Sequence, residues 1–335
     1  QAIANSEDIN PRHYTNAHKI LVESVKACFA TSPVISFDEQ IYISSLLSGE
    51  YSKYPLILVD EAQDLSPLNH LQLKKSLSAS GRLFVVGDPR QAIYSFRGAH
   101  TSSMEQIRKL RSNWVDLPLS TTFRCPKAIV RRQQEHAPGF NAAEQAPEGQ
   151  FIRIGEGWSW ASLPHKPEAI LCRNNAPLIS LAFRLLRQDV GVYMLGRDIG
   201  KGLKAVAKRV LPGNLPKAEC IEKVLAWIKK ESSDKTTDQG ECLLAVLDSG
   251  ITDAYQLRSK LDFLFSKESG TVVLSTGHKA KGLEWNTVLH LDPWRIPSRF
   301  AATPEELTQE DNLRYVIETR SKNILMVADL KEMKS

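Results

Sequence analysis

Short, continuous apolar runs recur along the chain, each stopped by a glycine, a proline or a charge. They are "LILVD" (56–60), "RLFVVGD" (82–88), "VDLPLS" (115–120), "FIRIG" (151–155), "EAILCR" (168–173), "GVYMLG" (191–196), "TVVLST" (271–276), "NTVLHL" (286–291) and "NILMVA" (323–328). Runs of this length without strict alternation predict strands buried on both faces, as in parallel sheets. Between them, 70–80, 104–110 and 177–189 carry the three-to-four spacing of amphipathic helices. Strand and helix in alternation predict an α/β protein with parallel sheets covered on both sides. Residues 203–266 break the rhythm. They read as a helical insertion holding "AECIEKVLAWIKK" and "DAYQLRSKLDFLF", joined by a polar linker, "ESSDKTTDQGE". The stretch 138–149 reads as an irregular connection, and "GRDIGKG" (196–202) as a turn.

A chain of 335 residues points to two domains. With 42% hydrophobic and 24% charged residues it has the composition of a globular protein, and no apolar run approaches the ~18 residues of a membrane helix. The amino terminus, "QAIANSEDINPRHY", shows neither a secretory pattern nor an initiator methionine, and reads as the start of a fragment or processed chain. Five scattered cysteines, Cys28, Cys125, Cys172, Cys220 and Cys242, lack metal-ligand spacing and predict a reduced, cytoplasmic protein with buried thiols. A net charge of +5 permits an anionic partner without requiring one.

The chemistry gathers where strands end. Asp60 and Glu61 follow the first apolar run, at the carboxyl end where open α/β sheets hold ligands. A nucleoside triphosphatase keeps one acid there for magnesium and another for the attacking water. Taken alone, "DEAQD" is as compatible with a solvated acidic turn. The next run changes the balance, because "VVGDPRQAIYSFRGA" (85–99) offers Gln91, Tyr94, Phe96 and Arg97 within seven residues. A glutamine senses a terminal phosphate or its attacking water without adding charge, and an arginine neutralises phosphate. Tyr94 and Phe96, two apart on an extended segment, project to one side as a platform for bases. Ile93 reads as core.

Together, "VDEAQDLSP" and "VGDPRQAIYSFRGA" resemble the second and third motifs of superfamily 1 helicases of the UvrD/Rep type. "LSTTFRCPKAIV" (119–130) resembles the fourth motif, "VVLSTGHKAKGLEWNTVLHLD" (272–292) the fifth, and "DNLRYVIETRSKNILMV" (311–327) the sixth. The resemblance implies two RecA-like domains of the P-loop NTPase type. The first, over 1–118, is expected to be incomplete, with about 1–34 the tail of a helical insertion. The second covers 119–335 and carries the insertion at about 203–266. It further implies an ATP-dependent DNA helicase or translocase that uses ATP and Mg2+ at the cleft between the domains. Such an enzyme moves 3′ to 5′ on single-stranded or partial duplex DNA. By the same resemblance, Asp60 holds the metal and Glu61 orients or deprotonates the water. Gln91 senses the terminal phosphate, and Arg97, Arg124 and Arg320 surround it, Arg320 as an arginine finger. Phe123 lies on the adenine, and Gly282 and Glu284 lie near the nucleotide. Tyr94, Phe96, Thr276 and His278 approach the DNA.

The family's first motif, G-x-x-x-x-G-K-[ST], is absent from the sequence, and Gly49 is the sole glycine before residue 60. This chain alone is therefore expected to hydrolyse ATP weakly or not at all. Three readings follow: a helicase whose phosphate loop lies in a missing amino-terminal segment, a non-catalytic nucleic-acid-binding or regulatory remnant, and a split motor completed by a partner chain. Phe96 and Phe123 stand where the family often has tryptophan and tyrosine, keeping a π-face and losing a polar handle. Cys125 replaces a common serine. The insertion is much shorter than the accessory domain of the best-known members.

Overall fold

The structure is a computed structural model that describes residues 50–94, 102–266 and 269–334, together with a few isolated positions before residue 50. Phe96, Arg97, Cys28 and the segments before the first strand lie outside the described residues, apart from those isolated positions. The chain divides into two compact units, one of residues 1–87 with 103–111, the other of 88–102 with 112–335.

In the first unit, β1 (Tyr54–Val59) pairs in parallel with β2 (Leu77–Val85), with Leu56 beside Arg82 and Val59 beside Val85. Helix α1 (Pro67–Ser76) crosses between them. It starts in a capping box, where the Ser66 hydroxyl accepts from Asn69 N and the Asn69 side chain accepts from Ser66 N. The apolar periodicity from residue 70 predicts a helix to residue 80. The chain instead turns to strand at Leu77, and β2 is correspondingly longer than expected. β1 also departs from expectation: Leu56 is 54% and Leu58 70% exposed. A parallel strand is buried on both faces only when both are covered, and the two-stranded sheet does not do this among the described residues. α2 (Ser103–Arg108) closes the unit, its Ser103 hydroxyl reaching Ala62 O at 2.5 Å and His70 Nε2 at 2.9 Å.

The second unit is built on a six-stranded, all-parallel sheet. Its strands are β5 (Gln150–Arg153), β6 (Ala169–Cys172), β7 (Val192–Met194), β8 (Val272–Thr276), β9 (Trp285–Leu291) and β10 (Ser321–Ala328), in the spatial order β5-β10-β9-β6-β8-β7. β3 (Thr121–Thr122) and β4 (Asn141–Ala142) form a small parallel pair before it, preceding and following α3 (Lys127–Gln133). α4 (Asn175–Leu186) follows β6 and buries Leu178, Ile179, Leu181, Ala182 and Leu185. This is the α/β, parallel-sheet architecture of RecA-like helicase domains. Residues 115–120, read as a strand, form none: Val115, Leu117 and Leu119 are 79%, 73% and 89% exposed, so their alternation does not mark a buried face.

The helical region begins earlier than the sequence suggests. α5 (Arg197–Val210), α6 (Lys217–Glu231), α7 (Asp234–Leu247) and α8 (Ala254–Ser266) succeed one another. "GRDIGKG" is thus the start of α5 and not a turn. Gly200 is there because α8 crosses closely, and a Cβ at that position would stand 2.5 Å from the Phe265 ring. The supposed polar linker is α7. Ser233 caps it by accepting from Thr236 N, and Thr237, Gly240, Leu243, Val246 and Leu247 recur at helical spacing as its buried face. These helices share one continuous core with β7, β8 and α4, in which Leu203, Val224, Leu243 and Leu261 join Val192, Leu274 and Leu181.

Candidate nucleotide and nucleic-acid site

In the first unit, β1 stops at Val59 and the two acids follow it into solvent. Asp60 Oδ1 accepts from Glu61 N at 2.8 Å, and Glu61 Oε2 accepts from Gln63 Nε2 at 2.5 Å. Glu61 is held at φ 49°, left-handed for a residue with a side chain. That costs about 1–2 kcal/mol. The neighbouring backbone fixes it: Ala62 N donates to Val86 O at 3.0 Å, and Val86 N to Val59 O at 2.8 Å. Two exposed carboxylates at the end of a strand suit an outer ligand to a hydrated cation and a base for water.

The second unit holds the remaining described candidates. Asp88 caps a short turn over Pro89–Gln91, accepting from Arg90 N at 3.0 Å and from Gln91 Nε2 at 2.9 Å. Asn312, on helix α10 (Pro304–Glu318), grips this turn by donating to both Pro89 O and Ala92 O at 3.1 Å. Ile93, 1% exposed, enters a core of Ile129, Val288, Leu313 and Val316, as read from the sequence. Tyr94 donates its hydroxyl to His278 O at 2.9 Å. The Lys281 ammonium stands 5.2 Å over the Tyr94 ring and bonds Gln91 O at 2.9 Å. The third and fifth motifs are thereby clamped together. Tyr94 is half-buried, so it offers less ring surface than a free platform.

Thr276 ends β8 and is buried; the short helix α9 (Gly277–Ala280) carries His278, half-buried. Gly282 follows at φ +84°, and Glu284 is exposed and paired with Lys322 at 3.5 Å.

The arginines are the informative part. Phe123 is 79% exposed, its ring open to a ligand. Arg124 comes next. Its backbone N–H is tied to Thr122 Oγ1 at 3.2 Å, while its Nε is buried with no hydrogen-bond partner among the described residues. Arg320 is 1% exposed and bonds neutral oxygens only: Nε to Val316 O at 2.9 Å, Nη1 to Leu283 O at 3.2 Å and Nη2 to Thr319 Oγ1 at 3.4 Å. Burial, and then the charge of Arg124, push its pKa down to about 10. Glu284 lies near enough to raise it in part, but neither guanidinium bonds a carboxylate among the described residues, and two neighbouring guanidinium groups form a site that an anion would stabilise.

Sequence reasoning missed the residues that hold these arginines in place. Glu318, two before Arg320, is buried and accepts from Arg132 Nε at 2.7 Å, Arg132 Nη2 at 3.0 Å and Gln133 Nε2 at 2.6 Å. Burial alone would raise its pKa; the His290 ring 3.4 Å away and the Arg132 guanidinium outweigh that and hold it at about 2. This cluster ties α3, which follows Arg124, to the end of α10, which precedes Arg320. The one signal in the sequence was an acid inside an otherwise apolar helix end, "YVIETR". The four described cysteines are free and buried, and burial pushes the Cys172 thiol up to about 12. Among the described residues no helix is long and apolar enough to cross a membrane.

The UvrD/REP helicase N-terminal domain model matches residues 19–111, and the UvrD-like helicase C-terminal domain model matches residues 203–332. The chain is 26% identical over 308 residues to F-box DNA helicase protein 1 of Schizosaccharomyces pombe, covering 83% of this chain and 34% of that protein. It is 36% identical over 345 residues to the Gabija protein GajB of Bacillus cereus, covering 84% of this chain and 65% of GajB. A shorter match, 47% over 69 residues, is to the RecBCD enzyme subunit RecB of Borreliella burgdorferi, covering 20% of this chain and 6% of RecB. The chain thus spans about a third of the first relative and just under two thirds of the second. With an amino-terminal and a carboxyl-terminal model of one helicase family matched in order, the chain belongs to the UvrD-like helicases.

Proposed function

We propose that this chain is the body of an ATP-dependent DNA helicase or translocase that moves 3′ to 5′ on single-stranded DNA. The observation that carries the proposal is the arginine pair: among the described residues Arg320 is buried without a bonded carboxylate, beside an Arg124 whose Nε has no hydrogen-bond partner, next to an exposed Phe123. A protein keeps so costly an arrangement for an anion that arrives. Here the anion is the terminal phosphate of ATP, with the adenine on Phe123. Phosphoryl transfer depends on placed charge more than on covalent chemistry. Arg124 and Arg320, joined by Arg97, neutralise the transferring group, and Gln91 senses it. Glu61 orients and deprotonates the attacking water, and Asp60 holds the magnesium ion, which supplies further charge neutralisation when bound. Gly282 and Glu284 border the nucleotide. Thr276, His278, Tyr94 and Phe96 hold the strand.

The sequence holds no G-x-x-x-x-G-K-[ST] loop. Hydrolysis by this chain alone is expected to be weak, with the loop contributed by further sequence or by a partner. One relative's name, as a subunit of the RecBCD enzyme, supports the partner reading. The test is ATP turnover with and without single-stranded DNA, alongside binding of a labelled oligonucleotide. Binding with little turnover is the expected result for the chain alone. In a form that hydrolyses ATP, Glu61→Gln is expected to lower turnover about 10²- to 10⁴-fold. A chain that binds no single-stranded DNA under any condition would falsify the proposal.

A further inference from the structure

The loop between β9 and α10 presents an aromatic side chain that neither the motifs nor the core accounts for. Trp294 is 57% exposed, and its exposure is imposed by a pinned backbone. On one side of it Asp292, buried, accepts from Leu330 N at 2.7 Å. On the other, Ile296 is 2% exposed in the core beside Leu313 and Val316, and Ser298 N donates to Glu310 Oε2 at 2.9 Å.

The back of the Trp294 ring is occupied. Arg295 places its guanidinium 4.8 Å from the ring centroid and is itself anchored to Asp292 at 3.2 Å and Glu241 at 3.4 Å. An aromatic ring braced this way loses little freedom when something lies on its other face. Five residues on, the pairing repeats: Arg299 lies 5.0 Å over the Phe300 ring, is exposed, and makes no ion pair among the described residues. Aromatic and arginine side chains in adjacent pairs, with the Arg299 charge left without an ion pair among the described residues, match the composition of surfaces that take single-stranded nucleic acid.

Sheet register decides where the platform stands. Leu171 of β6 pairs with His290 of β9 on one side and with Ser275 of β8 on the other. Residues 275 and 290 are therefore level, two strand spacings or roughly 10 Å apart. Thr276 and His278 leave the sheet at the carboxyl end of β8, and Trp294 leaves it at the same end of β9.

We propose that Trp294, braced by Arg295, is a base-stacking platform that extends the single-strand path from Thr276 and His278 across the carboxyl edge of the sheet. The inference rests on the DNA-motor reading above and adds a contact to it. The experiment is fluorescence anisotropy of a labelled oligothymidylate titrated with the 335-residue chain, with Trp294→Ala, Trp294→Phe and Tyr255→Ala compared. Tyr255 is an exposed aromatic on α8, at 66%, and serves as the control for loss of any surface ring. Trp294→Ala is expected to weaken binding about 5- to 150-fold, with Trp294→Phe recovering most of it and Tyr255→Ala leaving affinity unchanged. Equal affinity of Trp294→Ala and the unaltered chain overturns this inference and leaves the motor reading standing, as does an equal loss in Tyr255→Ala. No binding by the unaltered chain overturns both.

Discussion

Arg173, just beyond β6, and Arg320, just before β10, are both charges largely withdrawn from solvent in the sheet unit, and their surroundings are opposite. Arg173 is enclosed by carboxylates: Glu310 takes Nε and Nη2 at 2.7 Å each, and Asp234 takes Nη2 at 3.0 Å. Despite burial, those acids raise its pKa. Arg320 has backbone carbonyls and a hydroxyl, a second arginine for a neighbour, and a pKa pushed down to about 10. Arg173 joins β6 to α10 and to the start of α7, so its charge is spent on architecture. Arg320 bonds no carboxylate among the described residues, which is the condition that the proposed phosphate site requires.

The comparison can be broken first at Arg173. Glu310→Gln removes one carboxylate from a nearly enclosed pair, and is expected to destabilise the second unit by about 3–5 kcal/mol in urea unfolding. A loss under 1 kcal/mol would mean that Asp234 alone satisfies Arg173, and the contrast with Arg320 would weaken. Acid titration gives a second test, through Glu318. Its folded pKa of about 2 lies below the usual 4.5, so its stabilisation is full above about pH 4.5 and is lost as pH falls toward 2. The shift corresponds to on the order of 3 kcal/mol. Glu318→Gln should flatten stability over that window, and an unchanged pH profile would contradict the buried cluster. The smallest effect has the most telling sign. Arg320→Met is expected to raise stability by about 1–2 kcal/mol, since a buried charge that bonds no carboxylate among the described residues is removed while two carbonyls lose a donor. Millimolar ATP or pyrophosphate should then raise the melting temperature of the unaltered chain and not of the variant. Destabilisation by Arg320→Met would show that the guanidinium is structural, like Arg173.

The apolar runs determined the parallel sheet on their own, because continuous burial leaves no polar positions to read otherwise. β6, β8, β9 and β10 lie where "EAILCR", "TVVLST", "NTVLHL" and "NILMVA" predict them. The family resemblance named Arg124, Arg320 and His278, and residue type named Tyr94, as candidates. Runs whose partners are not fixed locally were misread. "VDLPLS" alternates like a strand and forms none, and "LILVD" is apolar on both faces yet half-exposed. In α7, the start of a helix was hidden because Thr237 and Gly240, neither of them an apolar signal, supply the first turns of its buried face. Only the tertiary structure decided which charges are spent and which are spare. Nothing in "LCRNN" or "IETRS" distinguishes Arg173 from Arg320. The difference lies in carboxylates at positions 234 and 310, and in an arginine at 124, that long-range packing brings to them. The same packing pins the loop that holds Trp294 out of the core, which hydrophobicity alone would place inside.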